Sequence, residues 1–251
     1  MPRRKFEKPQ RGNTHGLPVK QHIWPLKSIG RFVDGAGTVC LFDKVRNKTR
    51  QAKPADEAFC AKRVWDRRAE VGYMKGIEDA FQALANEIIA GIVTTIDAAQ
   101  KGKVDTFFAL WKMRADYKTA DGGEVNFKGV TGGDWTIDQE ETFEKSGVAF
   151  LRKGGNMPAR MVLGLRIQIG IDAYVHEALS SIQWGIIGAE EGHFVVPDYP
   201  ANAIIPLTPT LCLCSGGQSG TIKKQDVAGV NSCLKSVSRE YFFARDFALC
   251  P

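Results

Sequence analysis

The chain of 251 residues lacks the patterns that assign a chemistry at sight. It has no P-loop, no dinucleotide-binding Gly-x-Gly-x-x-Gly turn, no Gly-x-Ser-x-Gly elbow, no His-Glu-x-x-His helix and no EF-hand loop. The glycine-rich Ser215–Gly220 stretch lacks the lysine of a phosphate cradle and reads as a linker. None of the six cysteines (Cys40, Cys60, Cys212, Cys214, Cys233, Cys250) forms a Cys-x-x-Cys pair. Cys212-Leu213-Cys214 lies in an alternating apolar run, which puts both sulfurs on one face of a strand. Zinc would need a second ligand pair at suitable spacing, so buried free thiols are expected. No apolar run approaches the roughly 20 residues of a membrane span, so no membrane partner is expected. The basic N-terminus has no secretory apolar stretch, and a cytoplasmic protein is expected. There is no internal repeat.

Hydrophobic residues make up 43% and charged residues 25%, an ordinary globular balance. The charge is uneven. Residues 1–54 carry 13 Lys or Arg against three acids, while the whole chain is only +6. Such an end suits contact with phosphates, and Arg3, Arg4, Lys5 and Arg31 are its candidate substrate-binding residues. Residues 1–20, polar and rich in Pro and Gly, are expected to be a basic flexible tail, with 21–251 as a single domain.

Met74, Ile77, Phe81, Leu84, Ile88, Ile92 and Ile96 recur at steps of three and four, one face of a long helix. Lys101-Gly102-Lys103 is expected to break the pattern before a second helix carrying Val104, Phe107, Phe108, Trp111 and Ala115. Further helices are predicted over 137–145, from Asn156-Met157-Pro158 into 161–179, and over 226–237. Short strands are predicted at 38–43, 183–187, 193–196, 203–207, 211–214 and 241–245. The expected class is α+β: a helical middle with a mostly antiparallel sheet built largely from the C-terminal third.

Several of these runs together carry a resemblance. QHIWPLKSIGRF followed by GTVCLFDK resembles the opening of an uncharacterised, mainly bacterial family, the domain of unknown function 4238, at His22, Pro25, Leu26, Arg31, Phe32 and Asp43-Lys44. The family's aromatic, its acidic pair and its helical arginine fall on Trp65, Glu78, Glu87 and Arg114. The runs from Trp184, HFVVPDYP, IIPLTPTLCL, Asn231 and YFFARD extend the similarity over residues 21–246. The chain departs from the family where Pro197 replaces a serine, Ile23 an aromatic and Ala115-Asp116 a Thr-Pro. The resemblance implies a fold and a set of polar positions but no reaction; a defence or toxin setting is analogy only.

Those positions give the candidate site: His22, Asp198, Glu87 and Arg114 as catalytic residues, with Asp198 and Glu87 as ligands of Mg²⁺ or Mn²⁺. A histidine and carboxylates converging beside a basic end fit a nuclease-like phosphodiesterase, either metal-assisted or by metal-free acid–base cleavage through His22 and a carboxylate. Each residue also has a simpler reading. Asp198 between Pro197 and Pro200 suits an Asx-turn, Glu87 a bridge to Arg114, and His22 a packing contact. The competing class is a non-catalytic nucleic-acid- or protein-binding module.

Overall fold

The 3.6-residue apolar period between Lys75 and Tyr117 folds into two packed helices, and the rest of the molecule is arranged around them. The computed structural model describes residues 6–120, 123–200 and 202–251. In chain order the elements are β1 (Lys20–His22), α1 (Leu26–Gly30), β2 (Val39–Asp43), β3 (Lys48–Ala52), β4 (Cys60–Lys62), α2 (Lys75–Ile89), α3 (Ala98–Tyr117), β5 (Glu124–Asn126) and α4 (Ile137–Lys145). They continue with β6 (Asn156–Pro158), α5 (Ala159–Tyr174), β7 (Trp184–Ala189), β8 (Val196–Pro197), β9 (Ile204–Thr208), β10 (Leu211–Ser215), β11 (Gly220–Ile222), α6 (Lys224–Val237) and β12 (Tyr241–Ala244). Two π-helical segments, Ala69–Met74 and Val175–Leu179, precede α2 and follow α5.

The architecture is α+β. One four-stranded sheet has the order β11-β7-β10-β9 and comes wholly from the C-terminal third. A second, β3-β2-β12-β8, borrows β2 and β3 from the N-terminal end. Among the described strand pairs only β7–β11 is parallel. The alternation of β12 shows the logic of the second sheet. Phe243 meets Phe32 and Phe59 in the main core, while Phe242 on the other face stacks on Phe42. In the first sheet Leu213 enters the main core, and its neighbour Cys212 packs with Phe194 and Val227 of α6.

Several local expectations change. The first long helix ends at Ile89 rather than Ile96, because Gly91 takes a left-handed φ of 71° and terminates it. The second helix starts at Ala98, fixed by a reciprocal capping box between Asp97 and Gln100, so Lys101-Gly102-Lys103 lies inside it. Phe81 and Phe107 stack at 3.6 Å across the α2–α3 contact. Asn156–Pro158 pairs as a strand with β5, and the helix begins only at Ala159. Of His193–Val196, only Val196 is in a strand.

The flexible tail does not hold for residues 7–17. Leu17 is buried, Gln10 donates its backbone N–H to Glu141, and His15 lies 2.8 Å from Asp138. Glu7 pairs with Arg152 and Arg160. Burial raises the pKa of Glu7, but the two guanidinium groups outweigh it and leave it below the ordinary value. Behind Glu7, the fully buried Glu144 accepts from Arg63 at 2.6 Å and Arg160 at 2.8 Å. Sequence composition did not reveal the anchoring because the tail's polar partners, Asp138, Glu141, Arg152 and Arg160, are more than a hundred residues away. Glu144→Gln removes the buried carboxylate partner of Arg63 and one of the two of Arg160, and is expected to cost about 3–5 kcal/mol in urea unfolding. Glu124→Gln, on the half-exposed arm of the same network, is expected to cost under about 1 kcal/mol.

Candidate functional site

Gln21 and His22 alternate on β1 and do opposite jobs. Gln21 is fully buried, and its amide binds the peptide groups of Val64 and Trp65, accepting at 2.7 Å and donating at 2.7 Å. It thereby holds the segment that leads Trp65 into the core. His22 is half-buried, and its Nε2 lies 3.3 Å from the Pro54 carbonyl. A carbonyl only accepts, so Nε2 carries the hydrogen and Nδ1 holds the lone pair. Burial lowers the pKa of His22. The Pro54 carbonyl and the carboxylates of Glu70 and Glu78 raise it, Arg114 lowers it, and the balance lies below the ordinary histidine value.

Those neighbours form a polar cluster on three elements. Arg114 of α3 is 2% exposed and pairs with Glu78 of α2 and, at 3.4 Å, with Glu70 of the first π-helical segment. Glu70 also accepts from the Trp65 indole, and the Arg114 guanidinium lies 5.6 Å from the Trp65 ring centroid. Glu70 and Glu78 keep 20% and 24% side-chain exposure, so the cluster opens toward solvent through its carboxylates. In a straight α-helix an eight-residue separation turns two side chains about 80° apart. The wider i→i+5 turns of Ala69–Met74 rotate the chain less per residue and swing Glu70 toward the face of Glu78. Nε of Arg114 and Nε1 of Trp24 and Trp111 are buried with no acceptor among the described residues. The two tryptophan rings lie 4.2 Å apart.

Of the four candidate catalytic residues, Arg114 sits in this cluster, and His22 lies within range of its charges while its own hydrogen bond goes to Pro54. The other two do not join them. Glu87 is exposed on α2, so the expected Glu87–Arg114 bridge is replaced by Glu78–Arg114. Nine helical residues turn Glu78 and Glu87 to opposite sides, and only Glu78 faces α3. Asp198 is buried at the end of β8, where its carboxylate accepts from the N–H groups of Arg239 (2.7 Å), Glu240 (2.6 Å) and Tyr241 (3.3 Å). Burial raises its pKa against those three donors, and the net shift is upward. It ties β8 to the start of β12. The reason lies in the two prolines: they hold the chain where a carboxylate can satisfy three N–H groups that no strand partner reaches.

Asp198 and Glu87 do not fit the expected Mg²⁺ or Mn²⁺ site, since the Asp198 oxygens are already held by backbone donors. No group of three His, Cys, Asp or Glu suited to a metal ion occurs among the described residues. Arg31 donates to Asn86 at 3.0 Å, and burial lowers its pKa. Arg3, Arg4 and Lys5 lie outside the described residues.

Glu70 and Gln21 are the residues that sequence reasoning missed. A π-helical turn leaves no periodic signature, and Gln21 had only its place beside His22 to mark it. No family model, curated protein or solved structure matches the chain.

Two substitutions separate a structural carboxylate from an exposed one. Asp198→Ala, which orphans three N–H groups, is expected to cost about 2–4 kcal/mol in urea unfolding; Glu87→Gln should shift stability by less than about 0.5 kcal/mol. Arg114→Met removes the cation whose charge lowers the His22 pKa. The His22 pKa, followed by NMR of its imidazole, is expected to rise, while the protein loses about 3–5 kcal/mol from two uncompensated carboxylates.

Proposed function

We propose that the protein is a phosphodiesterase directed at RNA, working by metal-independent acid–base chemistry at His22. The observation that carries this reading is the tautomer and setting of His22: Nε2 is engaged by the Pro54 carbonyl, which leaves Nδ1 as the basic nitrogen, within electrostatic range of Glu70, Glu78 and Arg114. RNA is the fitting substrate class because its 2′-hydroxyl is a built-in nucleophile, so general-base catalysis suffices without an activated water. His22 Nδ1 takes the 2′-hydroxyl proton as the oxygen attacks phosphorus. The bond to the 5′ oxygen breaks, that oxygen takes a proton from water, the hydroxide so formed takes back the proton held on His22, and a 2′,3′-cyclic phosphate remains. Glu70 and Glu78 stabilise the imidazolium formed on the way. Arg114 positions the two carboxylates and balances their charge.

A basic edge leads to this point. Lys20 and Lys62 stand directly opposite each other across β1 and β4, each two residues from the paired His22 and Cys60. Glu57 is their shared counter-charge, at 3.9 and 3.0 Å. Like charges placed directly opposite destabilise a strand pair, and a polyanion would relieve them. Lys48 and Arg50 on the edge strand β3, and Lys53 just before Pro54, are also exposed. The resemblance to the domain of unknown function 4238 supports a shared site, because its His22, Trp65, Glu78 and Arg114 positions lie in one cluster.

The test is cleavage of end-labelled single- and double-stranded RNA and DNA in EDTA. RNA is expected to be cut to cyclic-phosphate ends and DNA spared, with His22→Ala lowering the rate at least about 100-fold. The rate should climb as pH rises and His22 loses its proton, with a midpoint below the ordinary 6.5, then level off. Stability follows the same sign: a depressed histidine pKa adds stability above 6.5 that is lost as pH falls through the folded value. Salt-sensitive RNA binding without cleavage would overturn the enzyme and leave a binding module.

A further inference from the structure

The cysteines of β10 belong to no part of the site described above. Cys212 and Cys214 project from the same face of the strand, and their sulfurs lie 3.3 Å apart. Cys212 is fully buried under α6, whereas Cys214 is partly exposed. We propose that Cys212 and Cys214 are a redox-active dithiol that closes to a disulfide on reaction with a hydroperoxide.

The polarity of the pair fixes the roles. Cys212 is the buried partner and Cys214 the one near the surface, so a thiol hydrogen bond from Cys212 across the 3.3 Å contact favours the thiolate on Cys214. The thiolate is also the sulfur that solvent reaches. It attacks one peroxide oxygen, the O–O bond breaks, and the other oxygen leaves as water or an alcohol after taking a proton. Cys214 is then a sulfenic acid. The Cys212 sulfur attacks that sulfur, the S–O bond breaks, and hydroxide leaves with the Cys212 proton as water. Two thiols have lost two electrons, and the peroxide has gained them.

Closure asks the strand to contract. Alternate Cα atoms of an extended strand stand about 6.8 Å apart, the long end of the roughly 4.4–6.8 Å that a disulfide spans. Two features permit the change. The pairing of β10 with β9 shifts register between Leu211 and Cys212, a bulge that bends the strand beside the pair. One residue past Cys214 and Ser215, Gly216 and Gly217 take φ of 123° and 75°, and nothing lies within 4 Å of where a Gly216 Cβ would be. The slack is taken up there. That loop donates two N–H groups to the Gln183 carbonyl and its Ser219 hydroxyl accepts from Ile186, so closure is transmitted to the start of β7.

The chain itself supplies a clean assay. Between Arg166 and Lys223 it has no Lys or Arg and carries these two cysteines alone. The full chain is treated with equimolar hydrogen peroxide, unfolded in the presence of the alkylating agent, digested with trypsin and weighed. The 167–223 peptide is expected mostly without alkyl groups and lighter by two hydrogens, and dithiothreitol should restore both alkylation sites. Cys212→Ser should stop the reaction at a Cys214 sulfenic acid that dimedone traps. Alkylation of both cysteines after peroxide, in wild type, would overturn the proposal whatever the variant does. A cross-link from Cys214 to any other peptide would overturn it as well.

Discussion

A guanidinium inside a protein must bring its counter-charges with it, and Arg114 organises its surroundings on that condition. Its position on α3 is fixed by packing, with Phe107, Phe108 and Trp111 buried on the same helix. Having been carried to 2% exposure, it draws Glu78 from α2 and Glu70 from the turn before it. The π-helical entry to α2 is the backbone's accommodation of that demand, since it brings Glu70 round toward the arginine. Trp65 is caught in the same arrangement, donating to Glu70 and lying near the guanidinium. His22 then inherits an environment it did not create: burial and the positive charge of Arg114 favour its neutral form and outweigh the two carboxylates, which favour the imidazolium.

The periodic parts of this fold were legible. The apolar faces of α2 and α3, the short strands of the C-terminal third and the α+β class follow from steps of 3.6 and 2, which are properties of neighbouring residues. Boundaries failed where a single residue outweighed the period, as Gly91 does at the end of α2 and Asp97 at the start of α3. The anchoring of residues 7–17 was illegible in principle, since Glu7 is acceptable in solvent and its arginine partners are distant in sequence. Within the site, Arg114 and His22 stood out through the family resemblance, but the choice of Glu78 over Glu87 depends on how α2 is rotated about its axis. The identity of a residue does not encode that rotation; the neighbours of the whole helix set it.

Polar residues that look functional in a sequence divide here into two groups by what their atoms touch. Asp198, Gln21 and Asn231 bind peptide groups: Asn231 accepts from Val195 at 2.9 Å and donates to the His193 carbonyl at 2.8 Å. Lys44 joins them by donating to the Ser238 carbonyl just past α6, at 2.5 Å. Each repairs a place where the chain leaves regular structure and a backbone group would lack a partner. Glu70, Glu78 and Arg114 instead bind mainly one another, and His22 beside them touches the Pro54 carbonyl through Nε2 alone. The first group is used up by the fold, and the second leaves charge and a lone pair to be used.

The position of β12 has a consequence for how the molecule is made. Tyr241–Ala244 lies between β2 and β8, pairing with residues 40–43 on one side and 196–197 on the other. The second sheet therefore stays split into β3-β2 and a lone β8 until residue 244 has left the ribosome. Phe32 and Phe59, synthesised early, wait through most of translation for Phe243 to cover them. During that interval the nascent chain exposes an apolar slot of one strand's width, which is the shape that chaperones and neighbouring nascent chains compete to fill.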